Sequence, residues 1–96
     1  MSLSIEQGEE PALLQLRGSL DIYEAESAAK AFRMHLATSA ALALDVSGVL
    51  SCDAAGAQVL CAAKRSTLEA GRSFVIRRHS PAVAACFARL GLAPQL

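Results

Sequence analysis

"ALALDVSGVLSCDAAGAQVL", residues 41–60, changes its periodicity half-way. Residues 41–48 open with a short, nearly continuous apolar run ending in Asp45. That is the pattern of a strand buried in a parallel sheet, with its C-terminal edge at the surface. From Asp53 onward the apolar spacing is helical. Asp53 is placed to accept a hydrogen bond from the backbone N–H of Ala55 or Gly56, as an N-cap does, and the helix it opens is expected to run to about Ala70. Capping alone accounts for an acid there. The start of such a helix also attracts anions, but Asp53 already supplies a carboxylate.

Upstream, Leu3 and Ile5 alternate with polar neighbours, and Gly8 to Pro11 turn the chain into Leu13, Leu14 and Leu16. This reads as a hairpin of two strands, closed by Gly18. In residues 20–38, Ala25, Ala28, Ala29, Phe32 and Leu36 recur at helical spacing, with Glu26 and Lys30 an i,i+4 pair on the polar side. Downstream, residues 73–78 form another strand. Residues 80–91 form a helix with Ser80 as cap, Pro81 in its first position and Gly91 at its end. The order strand, strand, helix, strand, helix, strand, helix predicts an α/β fold. Its sheet is mixed but mostly parallel, with about four to five strands after an initial hairpin and about three helices. A chain of 96 residues can bury one core, so residues 1–96 are expected to form a single domain.

Composition excludes several functions. Apolar residues make up 53% of the chain, yet no uninterrupted run approaches the roughly 18 needed to span a bilayer. The first ten residues, MSLSIEQGEE, lack the layout of a signal peptide, so a cytoplasmic protein is expected. Formal net charge is zero, with acids concentrated in residues 1–53 and bases in residues 54–96. That balance, with Phe74 and Phe87 the sole aromatics in the second half, speaks against nucleic acid. Cys52, Cys61 and Cys86 form no CxxC pair, and His35 and His79 add no zinc spacing, so free thiols and no metal or other cofactor are expected. Asp21, Asp45 and Asp53 are candidates to gather at one end of the sheet. No nucleophile with a base and no glycine-rich phosphate loop accompanies them, so an enzyme is not expected. Arg72, Arg77, Arg78 and His79 read as solvated strand ends.

At about 100° per residue the helix after Asp53 divides into two faces. Gly56, Val59, Leu60, Ala63, Thr67 and Ala70 point to the sheet, with Gly56 allowing close approach. Ala54, Ala57, Gln58, Cys61, Arg65 and Leu68 point outward, where charge is usual. Two readings fit this outward strip of small apolar residues. One is a contact surface for another protein. The other is an alanine-rich helix with no partner, alanine being the best helix former.

Three stretches together resemble the STAS domain family of bacterial anti-sigma factor antagonists. "LDVSGVLSCDAAGAQVL" (44–60) is similar to its signature, in which an acid-ending strand leads to Asp-Ser-Ser/Ala-Gly at a helix start. "LRGSLDIYEAE" (16–26) is similar to the Gly-x-Leu-Asp approach to the family's first helix, and "SPAVAACFARLGL" (80–92) to the Ser-Pro-x-Val opening of its last. The resemblance implies a non-catalytic interaction module whose partner docks at the start of the helix after Asp53. In partner-switching members the residue after that Asp is a Ser or Thr phosphorylated by a kinase-like anti-sigma factor, and the added charge of about −1.5 to −2 breaks the complex. The matching position here is Ala54, which has no hydroxyl. The expected partner surface is Asp21, Asp45, Asp53, Ala54, Ala57, Gln58, Cys61 and Arg65, with Ser47 and Ser51 as substitute acceptors or plain loop serines. The resemblance also allows other roles: a subunit supporting the ATPase of a lipid-transporting ABC transporter, or a companion of chemotaxis or two-component proteins. A homodimer contact is a further use of the strip.

Overall fold

The computed structural model describes residues 2–96. The chain runs β1 (Leu3–Gln7), β2 (Leu13–Leu20), α1 (Ala25–Leu36), β3 (Ala41–Cys52), α2 (Ala54–Glu69), β4 (Ser73–His79) and α3 (Pro81–Arg89), then a 3-10 turn at Ala93–Gln95. The four strands lie in the order β1-β2-β3-β4. β1 pairs antiparallel with β2, while β2 with β3 and β3 with β4 are parallel. The α/β architecture expected from the alternation of periods is therefore the one found.

Alternation within the strands decides which face is covered. Leu14 and Leu16 of β2 and Leu42, Leu44 and Val46 of β3 form one buried cluster with Ala28 and Phe32 of α1, Leu60 and Ala63 of α2, and Val83, Cys86 and Phe87 of α3. The opposite face carries Ser4, Glu6, Gln15, Arg17, Asp45, Val75 and Arg77, none of them buried. Each fully buried Leu or Phe contributes about 1.5–3 kcal/mol. Leu16, Leu20, Leu42, Leu44, Leu60 and Phe87 are of this kind and carry most of the fold.

Two strands run further than their sequence suggests. β2 does not close at Gly18 but continues to Leu20. Gly18 adopts φ +101°, and a Cβ there would lie 2.2 Å from the Ser2 carbonyl oxygen, so this glycine lets β2 pass tightly under the start of β1. β3 likewise does not stop near Asp45 or Gly48 but reaches Cys52. Its pairing with β2 shifts twice, between Asp45 and Gly48 and between Val49 and Ser51. Each shift is a bulge, which bends the strand without ending it. Asp45 is therefore in mid-strand, and Ser47 and Ser51 are strand residues, not loop serines.

The helix signals hold. Ser80 Oγ accepts the Val83 N–H at 3.2 Å, Pro81 opens α3, and Gly91 follows its end with φ +71°.

Candidate partner-binding edge

The parallel strands β2 and β3 end side by side, Leu20 against Cys52, and each leads into a helix. Asp53 ties the two junctions together. Its Oδ1 accepts the Gly56 N–H at 3.0 Å and caps α2, its Oδ2 accepts the Ile22 N–H at 3.1 Å, and its own N–H donates to the Leu20 carbonyl at 3.3 Å. Asp21 orders the other junction: Oδ1 accepts the N–H groups of Tyr23 and Glu24 at 3.0 and 3.2 Å. Gly56 allows the helix to sit this close. A Cβ there would lie 2.1 Å from the Leu20 carbonyl oxygen.

With both carboxylates turned to backbone N–H groups, the side chains they frame are pushed outward. Ile22 is 65% exposed and Tyr23 89% exposed. Leu50, 66% exposed, is the β3 residue left unpaired between Val49 and Ser51, so the second bulge turns it to solvent. Ala54, first residue of α2, is exposed beside them in the chain. This end of the sheet thus exposes a tyrosine, an isoleucine, a leucine and an alanine near two engaged aspartates in the chain. Ile22, Tyr23 and Leu50 were not among the residues expected from sequence. The signal for the first two is their place between Asp21 and the helix: the paired apolars precede the first in-phase core position of α1. Leu50 has no such signal, because its exposure depends on the bulge.

The expected surface needs two corrections. Ala57 is fully buried and belongs to the core. It lies about 60° around α2 from Leu60, on the flank that faces α3 and the C-terminal turn, from which Lys64 Nζ reaches Gln95 Oε1 at 3.2 Å. Packing on two sides widens the buried arc beyond the half-circle drawn from the sheet alone. Asp45 does not join Asp21 and Asp53. It pairs in register with Gln15, seven residues before Cys52 along β3, or roughly 20 Å away. There it shares a hollow of about 290 Å³ on the uncovered sheet face with Glu10, Gln15, Arg77 and Arg78. Burial opposes ionisation of Asp45, but bonds from the Ser47 hydroxyl (2.6 Å) and N–H (3.0 Å) and the charges of Arg78 and Arg17 outweigh it. Its carboxyl is held below the ordinary value.

Gln58 and Arg65 are exposed on α2 as expected, and Cys61 is half-buried. Burial raises the Cys61 thiol against the pull of Lys64 and Arg65. Cys52 is pushed up to about 12 by burial and by its neighbour Cys86. The C-terminal bases are not all solvated strand ends. Arg72 is half-buried and donates to the carbonyls of Leu36 and Ser39 at the end of α1, and Arg77 pairs with Glu10. Among the described residues, no three of His, Cys, Asp and Glu come together to hold a metal ion, and no helix is long and apolar enough to cross a membrane.

The family model described as "Mlab, STAS domain" matches residues 3–95. The chain belongs to the STAS domain family. No curated protein matches it. Among solved structures, an anti-sigma factor antagonist from Mycobacterium paratuberculosis superposes with a TM-score of 0.78 at 21% identity, over 99% of this chain and 83% of that one. The antagonist SpoIIAA in its unphosphorylated form gives 0.72 at 16% identity, over 97% and 84%. At these identities the two share a fold with this STAS domain.

Proposed function

We propose that this STAS domain is a non-catalytic, cytoplasmic interaction module of the anti-sigma factor antagonist kind that binds its protein partner without control by phosphorylation at the α2 start. The observation that carries this reading is Ala54. It stands exposed directly after the capping Asp53, where the family's partner-switching pattern has a hydroxyl, and Ile22, Tyr23 and Leu50 extend an apolar surface at the same end of the sheet. A phosphate placed there would add charge to an apolar contact and break it. Alanine removes that option and leaves the edge permanently in its binding form.

The test is affinity capture from a lysate of the source cells, with Ala54→Glu as the matched control. Glu at an exposed first helical position favours the helix, so the variant keeps its fold. Capture of a kinase-like ATPase by the parent and not by the variant is the expected result. Capture of an ABC ATPase instead would move the domain to lipid transport, and equal capture by both proteins would overturn the edge as the docking site. With the captured kinase-like protein and ATP, Ala54→Ser should take up phosphate while the parent stays unmodified. Phosphate on the parent would show that Ser47, Ser51 or another residue serves as acceptor.

A further inference from the structure

Cys52 and Cys86 take no part in the edge, yet the fold brings them together. β3 outruns its neighbour: its pairing with β4 ends at Val46 opposite His79, so its last residues, through Cys52, are paired with β2 alone. α3, which follows β4 directly, packs on β3. Val83, Cys86 and Phe87 of α3 enter the buried core, and Cys52, the last residue of β3, packs against the same cluster. After burial, the strongest influence on the Cys52 thiol is the Cys86 thiol, which acts on it both as a charge and as a hydrogen-bonding partner. Cys61 is not of this pair, since it sits on α2 beside Lys64 and Arg65.

The two thiols lie at different depths. Cys52 is half-buried and Cys86 is 1% exposed, so a small oxidant in solution meets Cys52 first. Cys86 then has only its neighbour to reach, and two groups already held together react as one molecule does with itself. We propose that Cys52 and Cys86 are a redox latch, which a low-molecular-weight disulfide oxidises to an internal disulfide that fastens the end of β3 to α3. The Cys52 thiol gives its proton to solvent, and its sulfur attacks one sulfur of the oxidant, whose S–S bond breaks to release one small thiol. The Cys86 sulfur then attacks Cys52 in the mixed disulfide and passes its proton to the second small thiol as that leaves. Two protein thiols are oxidised, and one small disulfide is reduced to two thiols.

Burial sets the tempo of the latch. A thiol held protonated by its surroundings attacks slowly and is also a poor leaving group, so the bond forms slowly and, once formed, resists reduction. The bond closes a loop that contains all of α2 and β4. A cross-link over so long a loop restricts the unfolded chain far more than the folded one, so the oxidised protein is harder to unfold. The fastened strand end runs directly into Asp53, the residue that caps α2 and holds the Ile22 N–H. The latch requires no partner, and so it stands whether or not the edge is a docking site.

The test uses the full chain carrying Cys61→Ser, so that Cys52 and Cys86 are its thiols. The folded protein is incubated with glutathione disulfide at mildly alkaline pH and mapped by mass spectrometry without reduction. The expected product has lost two hydrogens, carries no glutathione and links the peptides of Cys52 and Cys86. Its urea midpoint should rise and return to the starting value after reduction with dithiothreitol. Adding Cys86→Ala should stop the reaction at a glutathione adduct on Cys52, whereas adding Cys52→Ser should give neither adduct nor link. The linkage map of the protein that keeps both thiols decides the matter even if Cys86→Ala, which leaves a gap in the core, fails to fold. Glutathione retained on Cys52 of that protein, a disulfide between two chains, or no oxidation while circular dichroism stays native overturns the proposal. So does a linked product whose urea midpoint is unchanged.

Discussion

At the residue scale, two neighbours on α2 separate what holds the fold from what faces a partner. Ala57 is fully buried and Ala54 exposed, although both are alanines three residues apart. Sequence spacing placed them on one face, because the pattern of a single helix records the sheet beneath it and not the neighbour beside it. Gly56 was legible as a close-approach residue, but what it approaches, the Leu20 carbonyl, is visible only in three dimensions. These positions order by stability. Ala54→Glu should leave urea unfolding within about 0.5 kcal/mol of the parent, as exposed sites do. Gly56→Ala should lose about 1–3 kcal/mol, because backbone and not a movable side chain meets the new methyl. Ala57→Glu should be the worst of the three, since it buries an unpaired charge. An Ala57→Glu protein as stable as the parent would show that the helix can roll to expose this site.

At the element scale, the edge is a product of junctions and not of helices or strands taken singly. The sequence shows both acids and the cap, since a strand followed by Asp and a run of small residues has few other readings. It does not show the bulges in β3, because a bulge is a mismatch in pairing, and pairing partners lie about 30 residues apart in the chain. Leu50 was therefore invisible, and so was the placing of Asp45 in mid-strand. The joining of α2 to the loop before α1 through one carboxylate leads to a specific expectation. Asp53→Ala removes the Gly56 cap and the Ile22 bond together, and should cost about 1–2 kcal/mol in urea unfolding. Asp53→Asn keeps an acceptor for the cap and should lose less. Because Ile22 loses its tether, Asp53→Ala should also weaken partner capture although it touches no apolar contact. Full capture by a destabilised Asp53→Ala protein would show that the loop holds its shape without the bond.

At the scale of the whole molecule, the sheet brings parts of the acidic and basic halves of the sequence together. Arg77 of β4 meets Glu10 before β2, and Arg78 pairs in register with Asp45 of β3. At these two places the acidic and basic halves of the chain meet. One core gathers residues from β2, α1, β3, α2 and α3, so that core should open as a unit. The three free cysteines sample it at different depths, with Cys61 and Cys52 half-buried and Cys86 buried beside Phe87. A thiol pushed up to about 12, as Cys52 is, holds very little thiolate at pH 8, and the thiolate is the species that iodoacetamide attacks. Cys61 should thus be alkylated first, Cys52 slowly, and Cys86 only through opening of the core. Under slow-labelling conditions the Cys86 rate should rise with urea along the slope of global unfolding, because the population of the open form sets it. A Cys86 rate that ignores low urea while Cys61 and the circular dichroism remain native would mean that α3 opens by itself. The last helix would then be a separately mobile flap against β3.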